Sequence, residues 1–212
     1  MILHGYYRSS ASFRVRIALN LKGIAYTSTA WHLRDGAHLE ATFGAINPHK
    51  LIPVLDDNGT LLTQSLAIIE YLDETHPDPA FLPRGAADRA YVRALAQSIA
   101  CDIHPIDNLR VLKYLRTNFA ADEAAVGTWY NHWIATGFAG IEATLAKDAR
   151  TGTFCFGETP GLADMLLVPQ VVNAANYKLD MTPYPLISRI FDTCMALPAF
   201  ENAHPRAQAD AE

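Results

Sequence analysis

The stretch Tyr7-Arg8-Ser9-Ser10-Ala11-Ser12-Phe13-Arg14-Val15-Arg16-Ile17-Ala18-Leu19 decides how the first half of the chain reads. The apolar pair Ile2-Leu3 precedes it, so the order is strand, serine-rich turn, helix. Ala11, Val15, Ala18 and Leu19 recur at helical spacing, and Gly23 is placed to close the helix in a left-handed cap. Capping explains one serine, because a side-chain oxygen at a helix start accepts an otherwise unpaired N–H. It does not explain the neighbouring hydroxyls or Arg8. N–H groups at a helix start also favour negative charge, so the turn suits either a plain cap or an anion-binding site. Arg14 and Arg16 lie on other helix faces and read as a solvated or structurally paired surface.

Beyond Gly23, Tyr26 to Trp31 is rich in threonine and aromatics and predicts a second strand. Arg34 to Phe43 predicts a short or irregular helix. Asn47-Pro48 and Ile52-Pro53 bracket a loop before a third strand that begins at Val54-Leu55. Asp57-Asn58-Gly59 is a hairpin signal leading to a fourth strand, Thr60 to Thr63. Gln64-Ser65 then opens a helix over Leu66 to Glu74, with Ser65 as its cap. The resulting β-α-β-α-β-β-α order predicts a small α/β layer structure. The Ile52–Pro53 bond is compatible with either isomer; a cis bond would turn the backbone of Ile52 away from the sheet and toward a ligand.

Thr75-His76-Pro77-Asp78-Pro79 and Leu82-Pro83 mark a boundary, giving expected domains of residues 1–82 and 83–212. Strand signals then vanish. Asp88 to Ile103 is amphipathic through Val92, Leu95, Ala96 and Ile99, with a kink or break expected at His104-Pro105 before Ile106 to Leu115 continues. Ala124 to Leu145 carries Trp129, Trp133 and Phe138 at helical spacing, which read as core. Leu162 to Asn176 is apolar nearly all round despite Pro169 and predicts a buried central helix, with Asp164 placed to reach back to Gly161. Leu186 to Leu197 is a further helix stopped by Pro198, and the polar tail from His204 is expected to be loose.

Composition narrows the class of function. Half the residues are hydrophobic and 18% are charged, as in ordinary globular proteins. A net charge of −5 gives no footprint for nucleic acid, and no apolar run approaches the roughly 18–20 residues of a membrane span. The start of the chain lacks a basic-then-apolar targeting pattern. Three widely spaced cysteines argue for a reducing, cytoplasmic setting, and eight dispersed histidines offer no metal-ligand spacing.

A small α/β domain, a proline-rich boundary and an all-helical domain together resemble the cytosolic glutathione transferases. The detailed resemblance is to the zeta class, which includes the maleylacetoacetate and maleylpyruvate isomerases. It is carried by the opening serine motif, Asn47-Pro48, Ile52-Pro53-Val54-Leu55 and Gln64-Ser65-Leu66-Ala67-Ile68-Ile69-Glu70-Tyr71-Leu72. It continues through Asp102-Ile103-His104-Pro105-Ile106-Asp107-Asn108-Leu109-Arg110, Leu167-Val168-Pro169-Gln170-Val171 and Leu179-Asp180-Met181-Thr182-Pro183-Tyr184-Pro185, essentially end to end.

The resemblance implies a thioredoxin-like first domain that holds glutathione as a cofactor, and a helical domain contributing the acid-substrate pocket. Ser9 would be the hydroxyl facing the glutathione sulfur, with Ser10 and Ala11 beside it in the turn. Ile52, before a cis Pro53, would pair its backbone with the tripeptide. Gln64 and Ser65 would hold the γ-glutamyl end, and His38, His104 and Asn108 would complete the pocket. The family's substrates are small dicarboxylates, which Arg8 and Arg110 would grip. The implied partners are that small acid and a second copy of the chain in a homodimer, with no nucleic acid, membrane or metal.

Three positions depart from the family pattern. Ala11 stands where a cysteine is usual, Gly161 where a serine or threonine cap is usual, and Asn176 where an arginine is common. The last removes one candidate carboxylate grip. It leaves room for a general transferase acting on electrophiles or small haloacids beside the isomerase reading. A non-enzymatic binding relative is disfavoured by the intact serine turn and Gln64-Ser65.

Overall fold

The computed structural model describes residues Met1–Glu212. Strand β1 (Ile2–Gly5) is followed by helix α1 (Ser10–Leu21), β2 (Thr27–Ala30), a 3-10 turn (Ala37–Leu39) and α2 (Ala41–Ile46). Strands β3 (Val54–Asp57) and β4 (Thr60–Thr63) and helix α3 (Ser65–Thr75) complete the α/β region. The sheet order is β2-β1-β3-β4, parallel between β1 and β2 and antiparallel elsewhere. This is the thioredoxin-like layout that the resemblance implied. Leu3, Val15, Ile17, Leu19, Phe43, Leu55, Ile68 and Leu72 are buried.

Local sequence accounts for the turns. Asn58 and Gly59 both have positive φ, 52° and 91°, the backbone that the tight hairpin requires. Gly23, at φ 65°, ends α1 in the left-handed conformation.

The helical region comprises α4 (Ala86–Gln97), a π-helical turn (Ser98–Ile103), α5 (His104–Asp107), α6 (Leu109–Phe119), α7 (Glu123–Lys147), α8 (Leu162–Asn176) and α9 (Pro185–Met195). Helix α10 (Pro198–Glu201) and a 3-10 turn (Pro205–Ala207) follow. The interruption expected at His104-Pro105 falls elsewhere. Pro105 sits in the first turn of α5, where its missing N–H costs nothing, and the chain breaks at extended Asn108, which caps α6. Trp129 and Trp133 are half-buried, and Tyr130, Ile134 and Phe138 form the core stripe of α7 instead. Helix α8 is buried nearly throughout, and its Asp164 accepts from the N–H of Gly161 at 2.8 Å and of Cys155 at 2.9 Å. Pro198 opens α10 as well as following α9.

The chain divides into two compact units: Met1–Phe81 with Met195–Glu212, and Leu82–Cys194. The last residues therefore pack with the first unit, which corrects their expected place in a domain of residues 83–212. The reason is a set of long-range polar contacts. Arg16 Nε donates to the carbonyl of Ala203 at 2.8 Å, Asn20 to that of Ala199 at 3.0 Å, and the N–H of Tyr7 to Asp210 at 2.9 Å. The tail expected to be loose is held in place.

Candidate active site

Sheet register brings four segments of the first unit to one edge. His4 pairs with Val54, and Val54 pairs with Thr63, while Gly5 lies opposite Ala30. The turn after β1, the Ile52–Pro53 step before β3, the Gln64-Ser65 step after β4 and the segment from Trp31 to His38 therefore all leave the sheet at the same end.

The turn after β1 is tightly specified. The N–H of Ser9 donates to Tyr6 O at 3.0 Å, and Phe13 N–H donates to Ser9 O at 2.9 Å. Ser9 caps α1, its Oγ accepting from the N–H of Ser12 at 3.1 Å. That bond uses a lone pair of the oxygen and leaves the hydroxyl its own proton to donate. Ser9 and Ala11 are half-buried, Ser10 is buried at the first position of α1, and Arg8 is exposed. Beneath them, Arg16 spans Tyr6 O at 3.5 Å, Tyr7 O at 3.0 Å and Ala203 O. Burial pushes its guanidinium down to about 10, which leaves it charged at neutral pH. Arg14 is also buried and donates from Nη1 to Ser65 Oγ at 3.2 Å. Both arginines take the structurally paired alternative, and the solvated one is excluded.

The Ile52–Pro53 bond is cis, and Ile52 lies outside the ladder, which begins at Val54. Ser65 is the first residue of α3, buried beneath the helix start, and Gln64 is the residue that precedes the helix. The predicted serine cap is thus corrected: the Ser65 hydroxyl is taken up by Arg14. Gln64 holds φ 69° and ψ 116° with its side chain exposed. A non-glycine residue in such backbone costs on the order of 1–3 kcal/mol, a strain found disproportionately at ligand sites. Nothing in the residue type announces it. His38 is half-buried in the 3-10 turn, whose Leu39 carbonyl is held by Lys50 Nζ at 2.7 Å.

Within the second unit, the π-helical turn delivers half-buried His104 to the start of α5. Half-buried Asn108 caps α6, its Oδ1 accepting from Val111 N–H at 3.2 Å. Arg110, one residue inside that helix, is exposed. Between His104 and Asn108 sits Asp107, only 4% exposed, with neither carboxylate oxygen hydrogen-bonded. Burial pushes its carboxyl up to about 7. Sequence reasoning passed over this residue, because an acid beside a helix cap ordinarily faces water.

Asn176 is exposed at the last residue of α8. The next residue, Tyr177, stacks on Tyr130 with ring centroids 3.6 Å apart and planes 11° from parallel, and its carbonyl accepts from Asn131 at 3.1 Å. Arg116, which touches Tyr177, pairs its guanidinium with exposed Glu123 through two bonds of 2.8 and 3.0 Å.

Residues 3–80 match the family model described as "Glutathione S-transferase, N-terminal domain". A maleylpyruvate isomerase from a Ralstonia species is 51% identical over 210 residues, covering 99% of each chain. The holo structure of a maleylpyruvate isomerase described as a bacterial zeta-class glutathione transferase superposes with a TM-score of 0.99 at 50% identity, covering 100% of both chains. A maleylacetoacetate isomerase from Methylobacterium extorquens AM1, solved with malonate and glutathione bound, gives 0.97 at 39% identity, again covering 100% of both.

Proposed function

The chain belongs to the zeta-class glutathione transferase family that contains the maleylpyruvate and maleylacetoacetate isomerases, and we propose from that premise that it is a glutathione-dependent cis–trans isomerase of a maleyl-type dicarboxylic acid. The observation that carries the reading is the convergence of Ser9, Ile52 and Gln64-Ser65 on one end of the sheet. These residues fit glutathione. The start of α3 offers N–H groups to a carboxylate, Gln64 precedes it with an exposed side chain, and Ile52 has backbone outside the ladder for a peptide.

Bound glutathione supplies the thiol whose addition to a conjugated cis double bond, followed by rotation and elimination, yields the trans acid. The chain's own part is electrostatic. A free thiol, with a pKa of about 8.5, is only a few per cent ionised near neutrality. Ser9 donates its hydroxyl proton toward the sulfur, and each unit by which that lowers the thiol pKa corresponds to about 1.4 kcal/mol in favour of the thiolate. Arg8, in the same turn, and Arg110 provide guanidinium forks that match carboxylates. Ala11 leaves no cysteine in the turn to compete as a nucleophile.

The test is turnover of maleylpyruvate or maleylacetoacetate with glutathione, followed by loss of the cis-dienone absorbance. Arg110→Ala is expected to raise KM for the acid about tenfold or more, the worth of one charge-assisted pair, while glutathione affinity stays within about twofold. Equal loss of both would refute the carboxylate role. Asn176 favours one second reading, a general transferase. Turnover of a chloroacid or aryl halide with neither maleyl acid active would establish it instead.

We read the protein as a cytoplasmic homodimer, on the family's habit; no helix is long and apolar enough to cross a membrane. Sedimentation velocity is expected to give about twice the chain mass, and a monomer would exclude the dimer.

A further inference from the structure

We propose that Asp210, acting with Arg16, is a positioning residue for the reaction: it fixes the backbone of Tyr6–Ser9 and so sets the direction of the Ser9 hydroxyl. The inference rests on the proposed role of Ser9 as donor to the glutathione sulfur. Strand β1 ends at Gly5, so the next residues lose their ladder partners while Tyr6 and Tyr7 remain buried. A buried N–H or carbonyl needs a partner. Ser9 N–H and Arg16 satisfy Tyr6 O, Arg16 Nη2 satisfies Tyr7 O at 3.0 Å, and Asp210 Oδ2 satisfies the Tyr7 N–H at 2.9 Å.

Both supports depend on the far end of the chain. Arg16 is tied to Ala203 O, and the Asp210 carboxylate also offsets the charge of that buried guanidinium. The last residues are anchored independently. His204 packs edge-on against Phe13 with centroids 5.8 Å apart, and Glu212 meets His32 Nε2 at 3.1 Å, the same nitrogen that lies 3.1 Å from the Tyr6 hydroxyl. Tyr7 is two residues from Ser9. Without Asp210 the Tyr6–Tyr7 peptide is held only through Tyr6 O, and a tilt of its plane shifts the oxygen whose proton has to face the sulfur, although the cap bond to Ser12 could still form. The tail thus serves the chemistry without touching a reactant.

Three variants and three readouts test this. In Asp210→Ala the Tyr7 amide is expected to exchange with deuterium about tenfold faster or more, since its acceptor is gone. The thiolate absorbance of bound glutathione should then titrate about one unit higher, and kcat should fall about tenfold with KM for the acid nearly unchanged. Asp210→Asn keeps an acceptor oxygen but not the charge facing Arg16, and is expected to restore the exchange rate and most of the change in the other two values. Wild-type exchange at Tyr7 in Asp210→Ala, or fast exchange with an unmoved thiol titration, overturns the proposal. Failure of the underlying reading is distinguishable: wild-type and Ser9→Ala proteins would then show the same thiol titration, and the proposal would fall with it.

Discussion

Ser9→Ala is expected to lower kcat/KM by roughly 10–100-fold and to remove about 1 kcal/mol of stability, two losses with different origins. The first is the donated proton: a hydrogen bond to a charged group is worth about 1.5–3 kcal/mol, and alanine offers none to a thiolate. The second is the cap, because Ser9 Oγ holds the N–H of Ser12 at 3.1 Å and that donor becomes unpaired. Ser9→Asp separates the two. A carboxylate caps at least as well as a hydroxyl and suits the positive end of α1, so stability should be retained. It has no proton to give at neutral pH and repels the thiolate, so activity should fall at least as far as in Ser9→Ala. Thermal melts beside kcat/KM for both variants check the division. An Asp variant as active as wild type would remove Ser9 from the chemistry.

Asp107→Asn is expected to stabilise the protein by up to about 4 kcal/mol at pH 8 and by almost nothing near pH 4. Asp107 is 4% exposed with both oxygens unpaired, and burial raises its carboxyl from 3.8 to about 7. The folded state therefore binds the proton more tightly than the unfolded chain does. Stability falls as pH rises from about 4 to about 7 and stays low above it, the opposite of a carboxylate held in a salt bridge. The titratable groups coupled to it are Tyr130 on α7 and Tyr177 after α8, and both are neutral in this range, so neither offsets the charge. Asparagine mimics the protonated form at every pH. Denaturant titrations of both proteins at pH 5 and pH 8 check the sign; an equal difference at the two pH values would mean that packing, not ionisation, separates them.

The parts of the structure that were legible in the sequence are those fixed by neighbours along the chain. The Asn58-Gly59 turn, the Gly23 stop and the bounds of α8 follow from backbone preference and an unbroken apolar run. The turn holding Arg8 and Ser9 was legible for the same reason, since caps act within three residues. What escaped was decided by distant partners. Ser65 looks like a cap until Arg14, 51 residues earlier, takes its hydroxyl. The tail looks loose until Asp210 finds the Tyr7 N–H, 203 residues away. Asn108 did carry a local signal, a side chain able to cap the N–H of Val111, but the neighbouring proline drew the expected break to the wrong place.

The π-helical turn at Ser98–Ile103 has a consequence for how this chain tolerates change in length. Such a turn holds more residues than the α-helical turn it replaces, and every surplus residue rotates the downstream segment by roughly 100° about the axis. Here that offset aims the segment with His104, Asp107 and Asn108, and it brings Ile103 so near α7 that a methyl group at Gly137 would overlap its Cδ1. The surplus in one helix and the missing side chain on the other are complementary halves of one fitting. Deleting a single residue between 98 and 103 would leave a sounder helix by every local measure, and yet it would act as a frameshift written in angle, turning the residues downstream to face the wrong neighbours.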